Sequence, residues 1–245
     1  MLKLLSYPLT AIYYLAFFLT ITIFHPIQAF CFRVFGYLAL KKSVDILQLC
    51  LIRCLHILGT RITFNNPHNI DTDQPIIIIA NHQSMYDISP LMWHMRKYHP
   101  KFISKIELGK GIPSVSYNLR HGGSVLIDRK NPRQSLPAIM KFGEYIEETK
   151  HCAVIFPEGT RSKTGEPKPF QTKGLEILFK KIPSALVVPI TINNSWKTVR
   201  YGKFPMGLGT HITFTVHKPL KVSTFANKKD LISSIETTIT EHIKY

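Results

Sequence analysis

Acidic residues are scarce. The 245-residue chain carries 15 Asp and Glu against 31 Lys and Arg, a formal net charge of +16. That imbalance places the protein beside something anionic: nucleic acid, an anionic membrane surface or a phosphorylated small molecule. Cysteine is scarce as well. Cys31, Cys50, Cys54 and Cys152 show no disulfide-rich spacing, which excludes a stapled secreted scaffold and fits reduced thiols. Cys50, Cys54 and His56 fall in "LQLCLIRCLHIL", an apolar helical face where cysteine packs as a small hydrophobe. That run is well short of four spaced zinc ligands, and no metal is expected. The chain has no G-x-S-x-G elbow, no Walker A loop, no complete dinucleotide glycine fingerprint and no H-E-x-x-H motif. No internal repeat or low-complexity segment is visible. Zinc-finger, RNP-type and basic-helix signatures are missing too, and the aromatics are not interleaved with the basic residues, so nucleic acid drops out as a partner.

What the N-terminus lacks is charge. From Leu4 to Phe32 there is no Lys, Arg, Asp or Glu. The stretch is long enough to cross a bilayer, which needs about 20 apolar residues. It is too long and too aromatic for a cleaved signal peptide. Pro26 interrupts it, and a second apolar run, "IQAFCFRVFGYLAL", follows. Two helices joined at His25-Pro26 fit a hairpin dipping into one leaflet. They fit equally one span followed by an interfacial helix. Lys3 on one flank and Arg33, Lys41 and Lys42 on the other favour a cytoplasmic second side. Residues 1–42 are therefore expected to be apolar, membrane-associating helices, and anionic lipids become the natural partner of the net positive charge.

Residues 43–245 read as one domain. "SVDILQLCLIRCLHILG" is a predicted helix with Leu47, Leu51, Leu55 and Leu58 on one face and Gly59 as its cap. "RITFNN" predicts a strand, "PIIIIA" a buried strand, and "SPLMWHMRKY" a helix. "SVLIDR" follows as a short strand, then an amphipathic helix over "SLPAIMKFGEYIEETK". "CAVIFP" and "ALVVPITI" are further buried strands, with the helix "GLEILFKKI" between them. "THITFTVHKPL" is a fourth long strand, and "KKDLISSIETTITEHI" closes the chain as a helix. Strands alternating with helices predict an α/β fold with a mostly parallel sheet flanked by helices. In such folds ligands sit beyond the C-terminal ends of the strands. The polar clusters fall there.

The first cluster is "NHQSMYD". His82 follows a strand directly, and Asp87 is five residues on. With His82 in the turn and Asp87 in the first helical turn, the carboxylate can meet the imidazole. Such a pair fixes the histidine tautomer and leaves the other ring nitrogen to take a proton from a hydroxyl. The bland alternative is a helix-start histidine beside a first-turn acid favoured by the dipole. With no serine elbow, the expected hydroxyl is the substrate's, though Ser84 keeps a covalent route open. The second cluster is "FPEGTRS". Gly159 permits a tight turn, and Arg161 offers a fork matched to phosphate. Glu158 either hydrogen-bonds a hydroxyl or holds Arg161. Between the two, Lys105, Lys110, Arg120 and Arg129 outnumber Glu107 and Asp128, which suits an anionic substrate or lipid headgroups. Pro189 falls inside "VVPITI", where proline usually marks an edge or bulge.

The ordered set "NHQSMYD", "SKIEL…IP…GGSVLIDR", "FPEGTRS" and "VVPI" resembles the membrane-bound glycerolipid acyltransferases, most of all the 1-acylglycerol-3-phosphate acyltransferases of bacteria, from about Ile57 to Pro219. The resemblance implies a catalytic dyad of His82 and Asp87, and acceptor-phosphate binding by Glu158, Gly159, Thr160 and Arg161. It implicates Lys105 and Arg129 with the acceptor, and links Pro189 to the acyl donor or to structure. The implied reaction is acylation of the free sn-2 hydroxyl of 1-acyl-sn-glycerol 3-phosphate (lysophosphatidic acid), forming phosphatidic acid for phospholipid biosynthesis. The donor would be acyl-CoA or acyl-carrier protein, with no separate cofactor and no metal. The expected location is the cell membrane, with the catalytic domain facing the cytoplasm. The same chemistry on glycerol 3-phosphate or a lyso-aminolipid is the nearest alternative; a non-enzymatic anionic-lipid-binding membrane protein is a distant one. After Ile112-Pro113 the family often has a bulky pair, then glycine and tryptophan. Here "SVSY" stands instead, which leaves acceptor and chain-length preference open.

Overall fold

A computed structural model describes residues 2–71 and 73–244. The four isoleucines of Ile76–Ala80 (β2) cannot alternate between core and solvent, so the strand must be covered on both faces. It lies near the middle of an eight-stranded sheet. The other strands are Arg61–Asn65 (β1), Pro100–Lys105 (β3), Val125–Ile127 (β4), Cys152–Ile155 (β5), Leu186–Asn193 (β6), His211–Val216 (β7) and Leu220–Lys221 (β8). Their order is β1-β7-β6-β2-β5-β3-β4, with β8 also on β6. Pairings from β6 through β2, β5 and β3 to β4 are all parallel, as is β1 with β7. Among the described residues, only β6 with β7 and β6 with β8 are antiparallel. The sheet is mostly parallel, as the alternating pattern predicts.

Ile76 and Ile78 face one core layer, with Leu40 and Val44 of Tyr37–Leu55 (α2), Leu91 and Met92 of Ile88–His94 (α3), and Tyr117 of Val115–His121 (α4). Ile77 and Ile79 face the other layer. There Ile139, Phe142 and Ile146 of Pro132–Thr149 (α5) meet Leu175 and Leu178 of Thr172–Lys181 (α6) and Leu231 and Ile235 of Lys228–Glu241 (α7). Burying each such isoleucine contributes roughly 1.5–3 kcal/mol.

Several expectations need correction. The apolar N-terminus does not break at His25-Pro26. Leu2–Phe35 is one helix (α1) that passes through Pro8 and Pro26. The break comes at Gly36, whose φ of 74° suits glycine, and α2 starts at Tyr37, six residues before the expected start at Ser43. The strand Pro100–Lys105 and the helix Val115–His121 lie where the sequence pattern assigns no element. "THITFTVHKPL" is two strands, β7 and β8. Pro189 is not on a sheet edge, because β6 has β2 on one side and β7 and β8 on the other. Its carbonyl accepts from His217 N at 2.9 Å, so its missing N–H would also face that side, between the β8 pairing at Leu186 and Val187 and the β7 pairing from Ile190 on. The proline therefore stands at a gap in the ladder.

Helix α1 is turned inside out for a water-soluble fold. Its buried positions are Ser6, Thr10, Tyr13, Ile21 and Gln28, mostly polar. Its exposed face carries Leu4, Leu15, Phe18, Ile23, Phe30 and Phe35. The helix is long and apolar enough to cross a membrane. It does not stand away from the domain, however. Thr10 accepts from Met206 N at 2.9 Å, Ser114 donates through Oγ to Ile21 O at 2.6 Å, and Phe32 packs edge-on against Tyr117. With α2 it forms a hairpin laid along the α/β domain.

Candidate active site

Every parallel strand from β6 to β4 ends on the same side of the sheet, and the polar clusters follow those ends. After β2, Asn81 adds a side-chain rung to β6. Its Nδ2 donates to Ile192 O at 2.8 Å and its Oδ1 accepts from Ile192 N at 2.7 Å. The chain then turns. Ser84 caps a single 3-10 turn, Met85–Asp87, which leads into α3. This turn folds Asp87 back onto the strand end. Asp87 Oδ2 accepts from His82 Nδ1 at 2.8 Å, Gln83 N at 2.8 Å and Ser84 N at 2.9 Å. The carboxylate is 0% exposed. An acceptor-only carboxylate on Nδ1 requires the proton there, leaving the Nε2 lone pair free. His82 also stacks on Phe156, ring centroids 4.1 Å apart at 16°. The imidazole is thus fixed at one edge and over one face.

The loop after β5 completes the arrangement. Gly159, at φ 69°, closes a turn in which its N–H donates to Phe156 O at 3.1 Å. Glu158 makes no bond to Arg161 and is instead turned inward. It is 4% exposed, and its oxygens accept from two backbone groups, His82 N at 2.7 Å and Lys168 N at 3.1 Å. Ser162 N donates to His82 O at 2.7 Å, so the histidine backbone is held from both sides by this loop. Burial pushes the Glu158 carboxyl up to about 7, although both N–H donors pull the other way.

The cations lie on or near this loop and at the neighbouring strand ends. Arg129, beyond β4, donates through Nη1 to Gly159 O. Burial lowers its pKa from the ordinary guanidinium value; the Glu107 charge opposes that shift and the Arg161 charge adds to it. The Arg161 charge thus adds to the cost of charge at Arg129, a cost that an anion bound nearby would offset. Arg161 and Thr160 are exposed on the loop. Lys105, at the end of β3, is exposed and pairs with Glu107 at 2.8 Å; no contact joins it to His82 or Asp87. Ser84 is buried. Its Oγ accepts from Tyr86 N at 3.1 Å and bonds Ser195 Oγ, so it is spent on the turn and the covalent route has no free hydroxyl there.

Phe156, Ser162 and Lys168 were not singled out in the sequence. Only Phe156 had a signal, as the last apolar residue before the loop. Ser162 and Lys168 act through backbone N–H groups, which any residue carries.

The sequence model of the family described as Acyltransferase matches residues 61–193. A 1-acyl-sn-glycerol-3-phosphate acyltransferase of Brassica napus chloroplasts is 32% identical over 164 residues, 66% of this chain and 44% of that protein. A 1-acyl-sn-glycerol-3-phosphate acyltransferase of Helicobacter pylori is 36% identical over 128 residues, 49% of this chain and 51% of that one. The chain thus spans about half the length of the curated relatives it matches. The crystal structure of the 1-acyl-sn-glycerophosphate acyltransferase PlsC from Thermotoga maritima superposes with a TM-score of 0.78 at 23% identity, covering 98% of this chain and 95% of that one. That match shows the fold. The family's own model spans more than half of the chain, from β1 to the end of β6 with the histidine turn inside it, and the protein therefore belongs to the Acyltransferase family.

Proposed function

We propose that the protein transfers a fatty acyl group from an acyl thioester, acyl-CoA or acyl-carrier protein, to the sn-2 hydroxyl of lysophosphatidic acid, forming phosphatidic acid. The observation that carries this reading is the Asp87-bound His82 at the C-terminal edge of the sheet, joined through Glu158 to the loop that bears Arg161 and accepts a bond from Arg129. His82 Nε2 takes the hydroxyl proton as the oxygen attacks the thioester carbonyl. Asp87 holds the ring and stabilises the imidazolium that forms. The carbon–sulfur bond breaks, and the imidazolium returns its proton to the departing thiolate. Protons and electrons balance with this dyad alone. Arg129 and Arg161 grip the acceptor phosphate, with Gly159 and Thr160 at its edge and Lys105 drawing it in from farther out. Glu158 serves by holding His82 rather than by touching the acceptor. The names of the Brassica and Helicobacter relatives support the acceptor class.

The inverted burial of α1 supports a membrane location. Its outer face carries Leu, Ile and Phe while its polar residues point inward, and only an apolar medium such as lipid favours that arrangement. Because α1 is tied to the domain along its length, the hairpin lies along one leaflet, with the catalytic domain in the cytoplasm. The test is thiol release from palmitoyl-CoA by the detergent-purified protein, offered lysophosphatidic acid, glycerol 3-phosphate, a lyso-aminolipid or no acceptor. Release stimulated chiefly by lysophosphatidic acid is expected. Stimulation chiefly by one of the others would overturn the acceptor assignment.

A further inference from the structure

Five consecutive residues after the 3-10 turn Ser195–Val199 are exposed: Arg200, Tyr201, Gly202, Lys203 and Phe204. Tyr201 is 40% and Phe204 52% exposed. A loop tip that shows two large aromatics to solvent needs a reason, and here the aromatics are not isolated. Phe204 meets Tyr7 of α1 edge-on, centroids 5.6 Å apart. The ammonium of Lys3 lies 5.5 Å from the Tyr201 ring, and the Arg200 guanidinium lies 4.9 Å from it. The loop thereby extends the exposed apolar face of α1, where Leu4, Leu5 and Tyr7 also lie open.

The loop is held in place rather than loose. Tyr14 Oη donates to Lys203 O at 2.7 Å, Met206 N donates to Thr10 Oγ1 at 2.9 Å, and Gly207 N donates to Thr198 O at 2.8 Å. Its charge has one sign. No Asp or Glu occurs before Asp45, nor between Glu176 and Asp230, so neither α1 nor this loop carries an acid. Aromatic rings with basic side chains around them are the composition of a headgroup-level belt: the rings enter the acyl boundary, and Lys and Arg reach the phosphates.

We propose that residues 200–204 form a second membrane anchor, separate in sequence from the N-terminal hairpin, that seats on an anionic leaflet with Tyr201 and Phe204 inserted and Lys3, Arg200 and Lys203 on lipid phosphates. This rests on the reading that the outer face of α1 lies in lipid. The anchor also reaches the histidine turn. Tyr86 Oη donates to Met206 Sδ at 3.4 Å, and Tyr86 packs edge-on against Tyr13, centroids 6.0 Å apart. Seating the loop therefore fixes the height of the His82 turn above the lipid from which the acceptor arrives.

The test uses the full chain with Phe204→Trp, reconstituted in phosphatidylcholine vesicles with and without phosphatidylglycerol, some of the lipid carrying bromine near the top of the acyl chain. Bromine quenches an indole only on contact. The emission added by the substitution is expected to be mostly quenched, and more so with phosphatidylglycerol present. Adding Arg200→Glu and Lys203→Glu should reduce that quenching while thiol release in detergent micelles stays at the wild-type level, showing that the variant is folded. Each charge removed near an anionic surface should weaken local attachment roughly fivefold. If the protein associates with the vesicles but the added indole is not quenched, the loop lies in water, open to a soluble partner, and the proposal is overturned while the hairpin reading stands. If the unmodified chain does not associate with vesicles at all, both fall.

Discussion

Glu158→Gln separates holding His82 from binding the proposed acceptor. In the wild type the carboxylate accepts His82 N at 2.7 Å with one oxygen and Lys168 N at 3.1 Å with the other. Glutamine can keep the first bond. Its amide then turns a donor toward the Lys168 N–H, one buried bond is lost, and two donors face each other. Leaving such a group unsatisfied costs about 1–3 kcal/mol. Since the loop and His82 are joined through this carboxylate, part of that cost falls on the position of the imidazole. The expected result is a kcat reduced about tenfold or more, with KM for lysophosphatidic acid little changed. The pH dependence gives a second readout. Burial raises the folded-state carboxyl from 4.5 to about 7, so between those values the folded protein binds the extra proton. The stability contributed by this group is therefore greatest below about pH 4.5 and falls as pH rises through 7. The difference amounts to about 2 kcal/mol after allowance for solvent near the loop. Thermal unfolding from pH 5 to 8 should show that slope in the wild type and lose it in Glu158→Gln. A raised acceptor KM with kcat intact would refute the reasoning and return Glu158 to direct substrate contact.

Ser84→Ala should cost about 1–2 kcal/mol of stability through the lost cap, yet leave acceptor-dependent thiol release largely in place. Release abolished in a folded Ser84→Ala protein would revive a covalent serine route. Lys101 is 4% exposed on β3, with Nζ donating to Tyr37 Oη at 2.7 Å, and burial lowers it from 10.5 to about 7. A base depressed in this way is charged at a cost below 7, so wild-type stability should rise with pH between about 7 and 10.5. In Lys101→Met that rise, about 3 kcal/mol, should disappear, as chemical denaturation across the range would show. A variant with the wild-type slope would contradict the assignment.

The central strands were legible because a parallel strand covered on both faces must be apolar throughout, and "IIIIA", "CAVI" and "LVVPITI" are. Pro100–Lys105 was not, because it starts with proline and carries two lysines. Its place in the sheet depends on burying Lys101 against Tyr37, a partner far away in sequence. The short helix Val115–His121 has too few apolar residues for a readable period. The hairpin joint was misplaced because proline is a strong local signal. In α1 the packing of the helix along the domain outweighs the bond lost at Pro26, and the chain turns at Gly36. At the site, the His82–Asp87 spacing gave the pairing because the strand end leaves one short way for the chain to return. The backbone partners of Glu158 are not legible, for the opposite reason. A motif records which side chains are charged but not which of them points inward.

The central claim is that His82, oriented by Asp87, takes the proton from the acceptor hydroxyl. The measurement that tests it most directly is lysophosphatidic-acid-dependent thiol release from an acyl thioester, offered both as acyl-CoA and as acyl-carrier protein, by the wild type and by His82→Ala side by side. Removing a general base typically lowers the rate by about 10²–10⁴-fold. The account predicts such a loss with the variant folded, as judged by its unfolding transition. Release that survives at the wild-type rate in His82→Ala would contradict it.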